Sequence, residues 1–216
     1  MLYPKKDEKE LDMALFRAPT KEYRAAPFWS WNGKLVPEIL EKEIEAMAKM
    51  GFGGYYMHPR VGLATPYLSK EFMEMVRVCL EKGKKCRMNT YLYDEDMWPS
   101  GPAGGLVTDL SREHLEKYLV LTPFAEEESE DRVFLAAHDV LLNEKGYLRS
   151  YARTEKDAPI SSGHTRWYAY MEYGGYCDTM QKKVIETFIA ITHEKYKAYF
   201  GAEFGGDIPA IFSDEP

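Results

Sequence analysis

The sequence has no lysine or arginine run longer than two residues, and its formal net charge is −7. Nucleic-acid modules present a basic patch or stripe, so this balance argues against a phosphate-backbone partner. It argues equally against a polybasic membrane anchor. No window approaches the roughly 18 consecutive apolar residues of a membrane span. The opening segment MLYPKKDEKELDMALF places charges where a secretory leader needs an apolar stretch of roughly 7–15 residues. A soluble, cytoplasmic protein is the expectation. Cysteine is scarce: Cys79, Cys86 and Cys177 are odd in number and fit no CxxC spacing, which suits small buried hydrophobes in a reducing compartment. EF-hand, HExxH and GxxxxGK[ST] patterns are absent, and there is no internal repeat. The glycine-rich run Gly101-Pro102-Ala103-Gly104-Gly105 lacks the spacing and lysine of a phosphate loop.

What is present is aromatic. Aromatic residues make up 14% of the chain, with sixteen Tyr and four Trp. Buried rings account for most of them, but rings gathered with carboxylates at loop positions suit a surface that stacks sugars.

The pattern along the chain alternates strand and helix. Residues 1–25 form a charged, weakly patterned arm. Ala26 to Gly33 is a short strand closed by an Asn-Gly turn signal. Pro37 stands at a first helical position, and Leu40, Ile44 and Met47 recur at helical spacing down to Gly51. Phe52 to His58 is a second strand, Ser69 caps the next helix, and that helix stops near Gly83. Arg87 to Tyr93 is a third strand, followed by Asp94-Glu95-Asp96-Met97-Trp98-Pro99. Residues 118–165 break the rhythm as a small β-rich insertion, with β-like runs around an Asn143-Glu144-Lys145-Gly146 turn. Trp167 to Tyr173 resumes the earlier pattern. Asp178 opens a long helix reaching Gly201, with Gln181 as its capping-box partner. Ile208 to Phe212 is the fourth strand, before Ser213-Asp214-Glu215-Pro216.

Alternation of this kind points to a parallel sheet with helical crossovers. The expected fold is α/β, a (β/α)8 TIM-barrel type of which only the first four β/α units are present. Its divisions are an arm (1–25), three barrel units (26–117), the insertion (118–165) and the barrel continuation (166–216).

Working residues in parallel α/β folds lie at the carboxyl ends of strands, where the loops share one face. Those ends carry Trp29, Trp31 and Asn32; His58 and Arg60; Tyr93, Asp94, Glu95, Asp96 and Trp98; and Asp214 and Glu215. Paired carboxyl groups serve glycosidic cleavage, one protonating the leaving oxygen while the other activates water or attacks the sugar. Each residue also has a plainer reading. A carboxylate after a strand is often only a helix cap, though three in a row cannot all be caps. On spacing alone His58-Pro59-Arg60 reads as a surface turn ahead of a ligand pair. Trp29 and Trp31 alternate, so they share one side of a strand and could simply pack the core.

The segments PFWSWNGKLVPEIL, GGYYMHPRVGLATPYLS, YLYDEDMWPSGPAGGLV, YGGYCDTM and IFSDEP resemble the first half of the barrel in bacterial proteins related to the α-L-rhamnosidases of glycoside hydrolase family 106. The resemblance runs from about residue 26 to the end. It implies a carbohydrate substrate and a pair of catalytic carboxylates, with Glu215, beside Asp214 at the end of the fourth strand, as general acid and the second carboxylate of the pair outside this chain. It also implies calcium, for which no ligand maps onto this chain. It implies that the second half of the barrel is missing, so the chain is expected to be inactive alone and to need that half or self-association. Two alternatives stand beside it: a noncatalytic carbohydrate-binding or assembly half-barrel, and a metal-dependent barrel hydrolase built on His58 and the Asp94–Asp96 cluster.

Overall fold

A computed structural model describes residues 10–214. In chain order its principal elements are α1 (Met13–Arg17), β1 (Phe28–Trp31), α2 (Pro37–Lys49), β2 (Gly54–Pro59), α3 (Lys70–Cys86) and β3 (Asn89–Tyr93). Then come β4 (Leu115–Thr122), β5 (Arg132–Leu142), β6 (Leu148–Thr154), β7 (Thr165–Cys177), α4 (Lys182–Ile191), α5 (His193–Phe200) and β8 (Ile211–Phe212). The described residues form two compact units, one comprising residues 10–107 and 181–214 and the other 108–180. Among the described residues no helix is long and apolar enough to cross a membrane.

The first unit holds a four-stranded sheet in the order β1-β2-β3-β8, with every pairing parallel. Two helix starts follow directly from local chemistry. Pro37 opens α2 where its missing N–H costs nothing. The Ser69 side chain accepts the Phe72 N–H at the start of α3, a cap worth about 1 kcal/mol. One face of the sheet is covered: Trp31, Tyr55, Met57 and Leu92 pack against Leu40, Ile44, Phe72, Val76 and Leu80 of the two helices. Alternation along the strands puts Phe28, Tyr56, His58, Tyr91, Tyr93 and Phe212 on the other face.

That second face is curled. In a flat sheet β1 and β8 would lie about 14 Å apart, three strand spacings. Yet the rings of Phe28 and Phe212 meet with centroids 5.0 Å apart, and Phe28 also reaches Tyr93 at 5.8 Å. Tyr56 and Tyr91 stack at 4.4 Å beneath them.

The second unit is a separate antiparallel sheet in the order β4-β7-β5-β6. This corrects the expected half of a TIM-type barrel. The run β1-α2-β2-α3-β3 follows the strand–helix alternation, four antiparallel strands interrupt it, and α4 and α5 then lead to β8. The segment Trp167 to Tyr173, which looked like a return to the barrel, is part of β7 and pairs antiparallel with both β4 and β5. Its alternation fits either sheet type, and nothing local distinguishes them. The fold is mixed α/β, with one parallel and one antiparallel sheet.

Three local differences have clear causes. The α3 helix passes through Gly83 and ends at Cys86, capped by Arg87 in a left-handed conformation (φ 56°). Gly83 is small for packing: a Cβ there would sit 2.6 Å from the Tyr55 hydroxyl and 2.8 Å from Thr90 Oγ1. Asp178 accepts from the Met180 N–H and pairs with Lys117, so α4 starts instead at Lys182 with Gln181 in the cap position. The long helix to Gly201 breaks at Thr192, whose hydroxyl donates back to the Phe188 carbonyl.

Gly83→Ala tests the packing claim. Alanine improves helix propensity by about 1 kcal/mol, but overpacking costs about 1–3 kcal/mol. Here the obstructing Tyr55 hydroxyl is pinned by bonds to the Cys79 carbonyl (2.7 Å) and Thr90 (3.1 Å). The substitution should therefore lower the urea unfolding midpoint. A raised midpoint would refute the packing role.

Candidate active site

The carboxyl ends of β2, β3 and β8 deliver His58 and Arg60, Tyr93 to Asp96, and Asp214 to one end of the parallel sheet. Glu95 is at the centre and fully buried. His58 Nε2 lies 3.1 Å from its Oε1, and Ser100 Oγ donates to its Oε2 at 3.4 Å. Arg60 Nη1 lies 3.6 Å from the same Oε1 and 3.4 Å from His58 Nε2. Ser100 also holds the main chain of Asp214: its hydroxyl accepts the Asp214 N–H at 2.8 Å, and its own N–H donates to the Asp214 main-chain carbonyl. The Tyr93 hydroxyl donates to Asp214 Oδ2 at 3.3 Å, while the Tyr93 ring stacks on His58 at 3.9 Å.

The loop carrying these groups is shaped by its glycines. Gly104 adopts φ 66°, and a Cβ there would lie 2.8 Å from Asp96 Cβ. The glycine-rich run thus folds back over the acidic segment, a use that requires no bound phosphate.

Protonation follows from burial. Desolvation, helped by the neighbouring Asp214 charge and opposed by Arg60, raises the Glu95 carboxyl to about 7. Burial and Arg60 lower His58 to about 4. Burial also raises Asp96 and Tyr93. At neutral pH His58 is uncharged, so its contact with Glu95 is a hydrogen bond and not an ion pair. The tautomer then follows from Arg60, which has only donors. A proton on His58 Nε2 would set two donors face to face. With Nε2 as the acceptor, Glu95 donates to it when its carboxyl carries the proton, which it does below about pH 7.

Asp94, also fully buried, points to a different partner: His193 Nε2, at the start of α5, lies 2.7 Å from its Oδ2. Its Oδ1 is buried without a hydrogen-bond partner. Tyr196 donates to the Tyr93 carbonyl just before it.

Trp29 and Trp31 lie on the helix-covered face, away from His58 and Tyr93. Trp31 is buried against Phe72, and the Trp29 indole donates to Glu43. Asn32, just past β1, is exposed, as is Trp98. Glu215 lies outside the described residues. Ser100 and His193 were not nominated by the sequence; their contacts to Asp214 and Asp94 span 114 and 99 residues, and no local pattern marks either one. Among the described residues no group of three or more His, Cys, Asp or Glu side chains could hold a metal ion. Glu95 and Asp94 already spend three of their four oxygens on side chains of this chain. These donors do not fit the calcium that the resemblance implies.

No protein-family model and no curated protein matches the chain. Among solved structures it is similar to a rhamnosidase from Novosphingobium sp. PP1Y, with a TM-score of 0.41 and 12% sequence identity over 76% of this chain. The chain spans 27% of that protein's length.

The protonation states can be tested through stability. Folded Glu95 keeps its proton to about pH 7 but loses it near 4.5 when unfolded, so the folded state binds more protons between those values. Its contribution to stability falls as pH rises through that window. His58 acts oppositely: its folded value of about 4 lies below the ordinary 6.5, and its contribution rises between them. Each slope is at most about 1.4 kcal/mol per pH unit, and the two cancel over the shared range. Relative to wild type, Glu95→Gln should therefore gain stability from pH 4.5 to 6.5, and His58→Gln should lose it. The opposite signs in urea unfolding would overturn the assignment.

Proposed function

We propose that this sheet end is an acid–base site for cleaving glycosidic bonds of the α-L-rhamnoside kind. The observation that carries the proposal is a buried Glu95 in hydrogen-bond contact with His58 and Ser100, its carboxyl raised to about 7, with Asp214 joined to it through the Ser100 hydroxyl and N–H. Glycoside hydrolysis needs one carboxyl that still carries its proton at working pH and one that does not. In this scheme Glu95 turns its proton from His58 to the leaving oxygen. Asp214, positioned by the Tyr93 hydroxyl and the Ser100 N–H, assists water or the sugar on the other side of the bond. Arg60 favours the accepting tautomer of His58. The rings on the open face of the sheet, with Phe28 half exposed, offer apolar surfaces to a sugar. That same feature favours the alternative of sugar binding without turnover. Glu215, nominated through the resemblance, is the rival proton donor.

Kinetics on matched substrates separates these assignments. If Glu95 is the donor, Glu95→Gln should cut turnover of alkyl rhamnosides by about 10²- to 10⁴-fold. It should cut 4-nitrophenyl rhamnosides, whose leaving group needs little protonation, by far less. The falling limb of the wild-type pH–rate profile should lie near pH 7 and vanish in the variant. If Glu215→Gln gives that pattern and Glu95→Gln does not, the roles are reversed. Sugar affinity with no turnover of either substrate would favour the binding alternative.

A further inference from the structure

We propose that His193 is a sugar-recognising residue of this sheet end, accepting a hydrogen bond from one substrate hydroxyl through its Nδ1, and that Asp94 holds it in that state. The proposal rests on the glycoside assignment above and adds a specificity contact to it.

The dyad has a definite polarity. Asp94 is fully buried, whereas the His193 side chain is 36% exposed. The imidazole is thus fixed from beneath and open above. An ionised carboxylate only accepts, so the 2.7 Å contact puts the imidazole proton on Nε2. In the neutral ring Nδ1 is then the bare nitrogen, and no hydrogen bond engages it among the described residues. A carboxylate fixing one ring nitrogen so that the other faces a ligand is a recurrent way of selecting a tautomer. The ligand's chemistry follows: a bare imidazole nitrogen accepts from a hydroxyl. Such selectivity is strong, because an analogue lacking the hydroxyl leaves the site's acceptor unpaired.

A plain latch between β3 and α5 would explain the contact but not its cost. Asp94 Oδ1 is buried without a partner, an arrangement that most structural carboxylates avoid. Asp94 also adjoins Glu95 in sequence, and its charge contributes to the raised Glu95 carboxyl. Asp94 and Glu95 follow β3 in succession, so the dyad is anchored at the same sheet end as the candidate acid.

The test combines spectroscopy with substrate deletion on the 216-residue chain. With ¹⁵N-imidazole labelling, the His193 Nδ1 resonance should move on adding a 4-nitrophenyl pyranoside that the protein turns over, and a slowly exchanging Hε2 should be present before and after. His193→Phe, which keeps the ring's bulk, should raise KM ten- to a hundred-fold with kcat changed less than threefold. Free imidazole should restore part of the loss in His193→Ala. One monodeoxy substrate should cost wild type that same factor and cost His193→Phe almost nothing, identifying the hydroxyl concerned. Sugar turnover with an unmoved Nδ1 and an unchanged KM in His193→Phe would overturn the His193 role alone. No binding or turnover of any pyranoside by wild type would overturn the glycoside assignment and this contact with it.

Discussion

The contact between Phe28 and Phe212 is the constraint on which the rest of the first unit depends. These residues sit on opposite edges of a four-stranded sheet, and their rings can meet only if the sheet curls strongly. Tyr93 packs against both rings, and Tyr56 and Tyr91 support them from the next row. Aromatic pairs of this kind contribute about 0.5–1.5 kcal/mol each beyond simple burial. Curling draws the ends of β2, β3 and β8 together, so that His58, Glu95 and Asp214 share partners although 156 positions separate the first from the last in a chain of 216. On the other face, α2 and α3 fix the strands through Trp31, Tyr55 and Phe72.

Convergence has an electrostatic consequence. Removing an ionised carboxylate from water costs several kcal/mol even after relaxation. Holding an ordinary carboxyl protonated at pH 7 costs about 3.7 kcal/mol. For Glu95, with Asp94 and Asp214 nearby and Arg60 only partly compensating, the two costs balance near pH 7 and neutralisation is the cheaper course below it. His58 solves the same problem by staying uncharged. The pair can thus exchange a hydrogen bond without either member carrying charge into the interior.

The sequence discloses what depends on near neighbours. Pro37 and Ser69 mark helix starts because a missing N–H and a capping hydroxyl act within one turn. The strand ends can be found because hydrophobic runs stop at polar clusters. What it hides depends on distant partners. Trp167 to Tyr173 has the same alternation whether its neighbours run parallel or antiparallel, so the half-barrel was inferred where a second sheet exists. Gly83 looks like a helix stop because the Tyr55 and Thr90 groups that demand a small residue are 28 and 7 positions away. Trp29 and Trp31 lie at a strand end, but the parity of the strand sends them towards the helices. Ser100 and His193 carry no local mark at all.

The second unit begins and ends almost at one point. Leu115 pairs with Cys177, and the Asp178 N–H donates to the His114 carbonyl at 2.8 Å, so the excursion leaves and returns through a closed gate. An unstructured loop of ~70 residues would cost the parallel sheet about 2 kcal/mol more in closure entropy than a six-residue turn. A folded excursion whose ends are tied together avoids most of that cost. To the strands on either side it is equivalent to a short connection. Because its two ends are tied to each other, changes in the length of the segment between them need not draw those ends apart.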